Sequence, residues 1–390
     1  MRRPADKVFL SFFPQARESD KRVCREEKRH GRSRGIHVLA ANAPFSFARF
    51  LAASAAIVGM LIAFASIADA AAVSKAPPAG PRIPIAPLRE PITAFVPFDN
   101  APFPFHGLIP DSGKHFLDHA DGGRQGHTSP RDGAVHWEDE MFKDNRVLLY
   151  FPKGFDIRKP ALIVVFFHGN GATLSRDVLD RQQVAAQLAS SQLNAVLVAP
   201  QFAVDAADSS AGRFWQRGQF GKFLGEATAK LAAQYNDRRV AGAFARSKVV
   251  LVAYSGGYLP AAWSLSVGKA DGRIAGIVLL DAMYGQIDKF VDWLEHAHVR
   301  TFFLSAYGES THEENEALKQ ELDDANVRYK TVLPRKMLPG AITFIDVGPN
   351  VKHEDFVTQA WTQNPLVWVL SRIPGYPRGD SGAASPRRAK

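Results

Sequence analysis

Seven short apolar runs recur between residues 146 and 347, and longer amphipathic stretches separate them. They lie at 146–151, 161–167, 195–198, 248–254, 274–280, 300–304 and 342–347. Several, such as ALIVVFF at 161–167, contain no polar residue. Strands that are apolar along their whole length are typical of a parallel sheet with helices on both faces. The sequence therefore predicts an α/β fold with a mostly parallel sheet.

The stretches between these runs have helical periodicity. Helices are predicted at 177–190, 220–235, 261–267, 287–296, 312–325 and 355–370. The β-rich region 106–151 predicts antiparallel strands at the edge of the sheet. Ligands of such folds bind in the loops that follow the carboxyl ends of the strands. Those loops hold the polar candidates, which are the His168–Gly171 and Ser255–Gly257 segments, Asp281, Glu309 and His353.

The net charge of +9 is concentrated outside the predicted fold. Residues 1–49 hold 12 basic and 5 acidic side chains, whereas residues 73–372 hold 32 of each sign. A neutral body lacks the basic surface that nucleic-acid binding requires. We therefore expect no nucleic-acid partner.

A charge-free run of 19 residues, FLAASAAIVGMLIAFASIA, occupies positions 50–68. It follows the basic stretch and ends in Ala-Asp-Ala-Ala-Ala, which predicts a secretory signal or a membrane anchor within a leader of residues 1–72. The preceding region is long for a signal, so either the run is an uncleaved anchor or the true start lies further on. The body is expected to be periplasmic, secreted or membrane-anchored outside the cytoplasm. Any membrane contact would be through residues 50–68.

Proline content predicts a further boundary in the chain, and cysteine content limits the chemistry of the body. Residues 73–110 hold ten of the 25 prolines and predict an extended linker, because proline lacks a backbone donor. The predicted catalytic body is 111–372, and the Gly/Ser/Arg-rich stretch 373–390 is predicted to be a disordered tail. The only cysteine, Cys24, precedes the body, which excludes cysteine-based catalysis and cysteine metal sites there.

The run at 248–254 leads into Ser255-Gly256-Gly257 and then into a helical stretch. A serine on a sharp turn between strand and helix, with small neighbours, is the arrangement of a nucleophile elbow. The usual pattern is G-x-S-x-G, and here Ala253 replaces the first glycine. A glycine-rich helix start that binds phosphate or merely turns the chain is the alternative.

The sequence FFHGNG at 166–171 follows the first strongly apolar strand. Acyl transfer requires backbone N–H donors near the developing oxyanion, and a small loop lets the backbone approach the substrate. Gly169, Asn170 and Gly171, together with Gly256, are the candidate donors. For His168 a structural role is favoured over that of a base.

His353 lies in VGPNVKHEDF, on a polar loop after the last predicted strand. A general base must reach the serine from the same edge of the sheet. It is the only histidine after Ser255 on a loop of this kind, so we expect it to be the base.

These segments together resemble the α/β-hydrolase superfamily over roughly residues 140–372. The chain order of nucleophile, acid and histidine matches Ser255, then Asp281 or Glu309, then His353. The resemblance implies an eight-stranded, mostly parallel sheet, a Ser–His–acid triad and hydrolysis of a small-molecule ester or related acyl bond, with no cofactor and no metal.

The acid is ambiguous. Glu309 follows the strand after which this superfamily more commonly places the acid. Asp281 closes an apolar strand, where a carboxylate is costly unless it is paired. Glu309 lies in a polar setting that suits a helix cap. Asp281 is therefore favoured, with Glu309 as the alternative.

Other interpretations stay open from the sequence. The fold could serve as a scaffold or binding protein without catalysis, or it could carry a peptidase or thioesterase. Asp205 and Asp208 could touch a substrate or a metal, although carboxylates in polar loops are usually solvated or cap helices. A zinc site at His115 and His119 is disfavoured because no matching carboxylate motif accompanies them.

Overall fold

A central sheet of eight strands dominates the computed structural model, which describes residues 85–131 and 133–378. In chain order the strands are β1 Ile92–Pro97, β2 His119–Asp121, β3 Arg124–Thr128, β4 Val135–Trp137, β5 Arg146–Phe151, β6 Leu162–Phe167, β7 Ala195–Pro200, β8 Lys248–Tyr254, β9 Ile274–Leu280, β10 Phe302–Tyr307 and β11 Ile342–Asp346. The central sheet has the order β1-β5-β7-β6-β8-β9-β10-β11, and β2-β3-β4 form a separate small sheet.

Six of the eight strands are parallel, from β7 through β6 and β8 to β11. The antiparallel strands β5 and β1 extend the sheet beyond β7. This is the strand order of the α/β-hydrolase fold. The prediction of a mostly parallel sheet is therefore confirmed.

Helices cover both faces of the sheet. They are α1 Val184–Ser190, α2 Gln219–Gln234, α3 Ala241–Arg246, α4 Tyr258–Ser266, α5 Ile287–Ala297, α6 His312–Asp324 and α7 Pro365–Leu370. Successive β6 residues alternate between two cores. Phe167 packs in the same core as Leu231 of α2. Phe166 packs in the other core with Leu188 of α1. The two cores explain why the strands are apolar along their whole length.

The start of the folded body differs from the predicted boundary at residue 111. Ile92–Pro97 is an edge strand paired antiparallel with β5, and Phe103 and Phe105 are buried in the core. The proline-rich composition is compatible with this because proline is tolerated on edge strands, where one side makes no ladder hydrogen bonds. The linker prediction is therefore wrong for residues 92–110.

The carboxyl end also extends further than predicted. Ile373 is buried, and the backbone carbonyl of Tyr376 accepts a hydrogen bond from Asn194 N (2.8 Å). The N–H of Arg378 donates to the Gln192 carbonyl at 2.9 Å. Residues 373–378 thus belong to the body and not to a frayed tail.

The last helix is shorter than the predicted 355–370. It begins at Pro365, after Asn364 with a φ of +52°. Proline lacks the N–H that a helix interior needs, so it fits the first turn and ends any helix that approaches from residue 355. Trp368 lies on this helix and Trp361 precedes it.

The predicted leader, with its apolar run at 50–68, lies outside the described residues. Residues 73–84 of the predicted linker and residues 379–390 also lie outside them. Among the helices of residues 85–131 and 133–378, none has both the length and the apolar character needed to cross a membrane.

Candidate active site

Ser255 lies at the end of β8, on the turn into α4. Its φ is +52°, a left-handed conformation that costs a residue with a Cβ about 1–2 kcal/mol. A 3₁₀ turn, Ser255–Gly257, connects it to Tyr258, the first residue of α4. Strain of this kind persists where the surrounding structure imposes it and is often found at functional sites. The backbone has the form predicted for a nucleophile elbow.

The glycines around this turn are required because two loops approach each other closely there. A Cβ on Gly257 would lie 2.5 Å from the Phe167 carbonyl oxygen. One on Gly169 would lie 2.7 Å from the Ser255 Cβ. These distances are too short for any other residue, so the two loops approach each other closely because both are small at the contact.

His353 reaches this serine from the loop after β11. Its Nε2 lies 2.7 Å from Ser255 Oγ, and its Nδ1 lies 2.6 Å from Asp281 Oδ2. The structure therefore brings these three predicted residues into one continuous chain of hydrogen bonds. Asp281 and Ser255 precede His353 in the sequence by 72 and 98 residues, respectively.

Two tyrosines that the sequence analysis did not single out hold the imidazole. The Tyr254 ring stacks on His353 with centroids 5.2 Å apart, and its hydroxyl donates to the His353 carbonyl at 3.1 Å. The Tyr284 hydroxyl lies 3.3 Å from His353 Nδ1. Tyr254 directly precedes the serine, and that position is the one signal in the sequence that could have marked it.

Asp281 is fully buried at the end of β9, with a φ of +45°. Its carboxylate accepts hydrogen bonds from Thr311 Oγ1 (2.6 Å) and from the Ser310 hydroxyl, in addition to its contact with His353. Burial alone would raise the pKa of this carboxyl. The hydrogen bonds from His353, Ser310 and Thr311 outweigh burial and hold the pKa below its ordinary value. Asp281 is therefore an anion opposite His353.

Glu309 lies at the start of the loop that follows β10, and its side chain is exposed. No hydrogen bond or ion pair connects it to His353 within the described part of the chain. Its loop contributes in another way, because the neighbouring Ser310 and Thr311 donate to Asp281. The structure thus places Asp281, and not Glu309, against the histidine.

The loop after β6 approaches Ser255 through Gly169 and Asn170. Among the residues that the structure describes, the N–H groups of Gly169 and Asn170 form no hydrogen bond. Gly256 lies in the first turn after β8, where helical N–H groups have no partner within the helix. Gly171 differs, because its N–H donates to the Ala206 carbonyl at 2.8 Å. Gly171 is therefore not an available donor, which corrects the prediction that included it.

His168 is buried beneath this loop and holds it in place. Its Nε2 accepts from the Phe202 N–H at 2.9 Å, and its Nδ1 lies 2.8 Å from the Gly169 carbonyl. These contacts identify the neutral ring that donates through Nδ1. Burial lowers the pKa of His168 to about 4. The structural role favoured by the sequence agrees with these contacts.

This lowered pKa predicts a pH-dependent stability. An unfolded histidine titrates near 6.5, so between pH 6.5 and 4 the unfolded chain binds more protons than the folded protein. The His168 contribution is complete above pH 6.5 and falls by about 3 kcal/mol as the pH approaches 4. Urea unfolding of the wild type and of His168→Gln across this range measures it as the difference in pH slope. Parallel slopes would contradict the prediction.

The weaker candidates have structural partners. Asp205 forms an ion pair with Arg176 (2.6 Å), and buried Asp208 lies 3.5 Å from His127 Nε2. In the described part of the chain, no group of three His, Cys, Asp or Glu side chains is arranged to hold a metal ion.

No family model matches the chain, and no curated protein sequence matches it. The chain is similar to several solved structures. A feruloyl esterase module from Clostridium thermocellum has 14% identity and a TM-score of 0.39, covering 70% of this chain and 96% of that one. An S-formylglutathione hydrolase from Agrobacterium tumefaciens has 13% identity and a TM-score of 0.38, covering 65% and 97%. An IroE-like serine hydrolase from Shewanella oneidensis has 16% identity and a TM-score of 0.32, covering 58% and 74%.

Similarity at this level does not extend to a reaction or a substrate. The fold is identified instead by features of the chain itself. They are the strand order of the central sheet, the turn at Ser255 and the loops at the carboxyl edge of the sheet. The chain has the α/β-hydrolase fold, as the resemblance of its motifs implied.

Proposed function

We propose that the protein is a serine hydrolase that cleaves an ester or a related acyl bond through a Ser255–His353–Asp281 triad. Ser255 Oγ attacks the acyl carbonyl while His353 Nε2 accepts its proton. The tetrahedral intermediate then collapses, the bond to the leaving group breaks, and His353 returns the proton to the departing alcohol. Water attacks the acyl-enzyme in the same way, which releases the acid and restores Ser255.

The observation that carries this proposal is the hydrogen-bonded chain through His353, at 2.7 Å to Ser255 and 2.6 Å to Asp281. The first distance lies in the range for proton transfer from a nucleophile to its base, and the second is a hydrogen bond that orients the base. The buried anion of Asp281 favours the imidazolium that forms when His353 takes the proton. A scaffold without catalysis has no need of a strained serine in contact with a histidine, so the geometry supports an enzyme.

The oxyanion donors that we propose are the backbone N–H groups of Gly256 and of the loop at Gly169 and Asn170. Gly169 packs against Ser255, so this backbone runs beside the position of the reacting carbonyl. Donors held in place before the reaction stabilise the negative charge as it develops, without reorganisation. This chemistry requires no cofactor and no metal.

A fluorophosphonate probe tests the proposal. The wild-type protein is expected to form a covalent adduct, and mass spectrometry of a digest should place that adduct on Ser255. Ser255→Ala should not react. Labelling of the alanine variant at the same rate, or an adduct on another residue, would overturn the assignment of the nucleophile.

We further propose that residues 1–72 form a leader that exports the body or tethers it outside the cytoplasm, as the apolar run at 50–68 indicates. Fusion of residues 1–84 to alkaline phosphatase, which is active only after export, tests this in a bacterial host. Activity is expected, and replacement of two apolar residues of the run by arginine should abolish it. An inactive fusion that is nevertheless expressed would contradict the proposal.

A further inference from the structure

Arg131 reaches the candidate active site from outside the central sheet. It lies in the turn between β3 and β4 of the small sheet, and its side chain is exposed. With the Asn170 amide in the orientation that satisfies its neighbours, Arg131 Nη1 donates to the side-chain oxygen of Asn170 at 2.8 Å. Asn170 belongs to the loop that packs beside Ser255, so the small sheet places a guanidinium at the edge of the reaction centre.

The Asn170 amide connects this guanidinium to the turn at Ser255. Its nitrogen donates to the Asp208 carbonyl (2.8 Å) and to Ser209 Oγ (2.9 Å), which leaves its oxygen to face Arg131. The opposite orientation would set donor against donor at the guanidinium. The same amide fills the space beside Gly256, where any Cβ would overlap it. The side chain of Asn170 therefore lies between Arg131 and Gly256, one of the proposed oxyanion donors.

The positive charge of Arg131 also acts on two tyrosines of the candidate active site. Burial raises the pKa of the Tyr258 phenol and of the Tyr284 phenol, and the positive charge of Arg131 acts in the opposite direction on both. Tyr284 lies beside His353, and the two tyrosine rings are 5.8 Å apart. The positive charge of Arg131 therefore acts on a tyrosine in contact with the histidine.

Arg131 forms no ion pair with a carboxylate among residues 85–131 and 133–378. Arg124 of the same small sheet differs, because it pairs with Asp139 (2.6 Å) and Glu140 (2.5 Å). One contact to a neutral amide leaves most of the five guanidinium donors of Arg131 available. Arginine with free donors beside a reaction centre is suited to a carboxylate or phosphate group on a ligand.

The small sheet that carries Arg131 is anchored to the catalytic loops. His127 on β3 is buried, with Nδ1 at 2.7 Å from the Phe116 carbonyl and Nε2 at 3.5 Å from the buried Asp208 carboxylate. Asp208 also holds the Asn170 amide through its backbone carbonyl. One loop therefore positions both the turn that bears Arg131 and the side chain that Arg131 contacts.

We infer that Arg131 is a substrate-binding residue, and that the preferred substrates are esters that carry a negatively charged group near the scissile bond. This inference rests on the proposed function, because it names the class of ester that Ser255 would attack. Glu314 is half-buried, and its carboxylate acts on Tyr258 with the sign opposite to that of Arg131. Arg131 would bind the charged end of such a substrate through its free donors.

Matched pairs of esters test the inference on the full chain. In the acyl portion, 4-nitrophenyl hemisuccinate is compared with 4-nitrophenyl butyrate; in the alcohol portion, 3-carboxyphenyl butyrate is compared with phenyl butyrate. In Arg131→Gln, kcat/KM for at least one carboxylate-bearing ester should fall about 10- to 100-fold, mainly through KM. The neutral esters should change less than about threefold. Arg131→Lys, which keeps the charge, should recover part of the loss.

Arg124→Gln is the matched control, because it removes an arginine of the same small sheet that already has acidic partners. It should leave the ratio of anionic to neutral turnover unchanged. Equal losses on neutral and anionic esters in Arg131→Gln, or no loss on either, would overturn the inference while the fluorophosphonate adduct on Ser255 still forms. A wild type that neither forms the adduct nor hydrolyses any of the four esters would overturn the proposed function and, with it, this inference.

Discussion

Ser255→Ala is expected to lower kcat by about 10⁴- to 10⁶-fold, because the covalent acyl-enzyme cannot form without the hydroxyl. The loss should fall on kcat and leave substrate binding largely intact. Steady-state hydrolysis of a chromogenic ester measures it. Circular dichroism and the urea midpoint establish that the variant is folded.

Ser255→Gly is an informative companion. It removes the same hydroxyl and should be equally inactive. It should also be more stable than the alanine variant by about 1 kcal/mol, because glycine adopts a φ of +52° without the steric cost of a Cβ. Residual activity above about one per cent of wild type in either variant would contradict the assignment of the nucleophile.

Asp281→Asn is expected to lower kcat by about 10⁴-fold, because an amide can stabilise the wrong tautomer of His353 and cannot balance the imidazolium charge. Glu309→Gln should stay within about twofold of wild type, because its side chain is exposed and has no contact with the histidine. The two variants remove the same charge from neighbouring loops, so each is a control for the other.

The comparison requires kcat and KM for both variants on one ester at a pH at which wild type is fully active. A large loss in Glu309→Gln with a small one in Asp281→Asn would move the acid to the position more common in this superfamily. Similar small losses in both would indicate that His353 acts without a carboxylate.

The sheet could be predicted from the sequence because its strands are buried on two faces. Runs such as 161–167 and 274–280 are apolar along their whole length, and only a covered parallel sheet accommodates many of them. The start of the body was predicted wrongly at residue 111 because a proline-rich segment was taken to be a linker. An edge strand such as Ile92–Pro97 tolerates prolines that an interior strand would not. Pro365 was the local signal that the last helix is short.

The candidate site was predictable where a single loop carries the information. Ser255 lies on a turn whose neighbours must be small, and the order of serine, acid and histidine along the chain narrows the base to His353. Gly171 was included because loop composition alone does not show which N–H groups are already paired. That pairing depends on Ala206, which lies on another loop.

Local sequence determined the parallel sheet, the strained serine turn and the histidine loop, because periodicity, residue size and chain order are properties of neighbouring residues. Tertiary structure decided between Asp281, which the sequence favoured, and Glu309 as the partner of His353. It alone decided which donors remain free and that Arg131 lies beside Asn170. Each of these depends on side chains from distant segments meeting within about 3 Å, as for His353 and Asp281 at 72 residues' separation. Hydrogen-bond partners are chosen by that packing, and no local pattern encodes it.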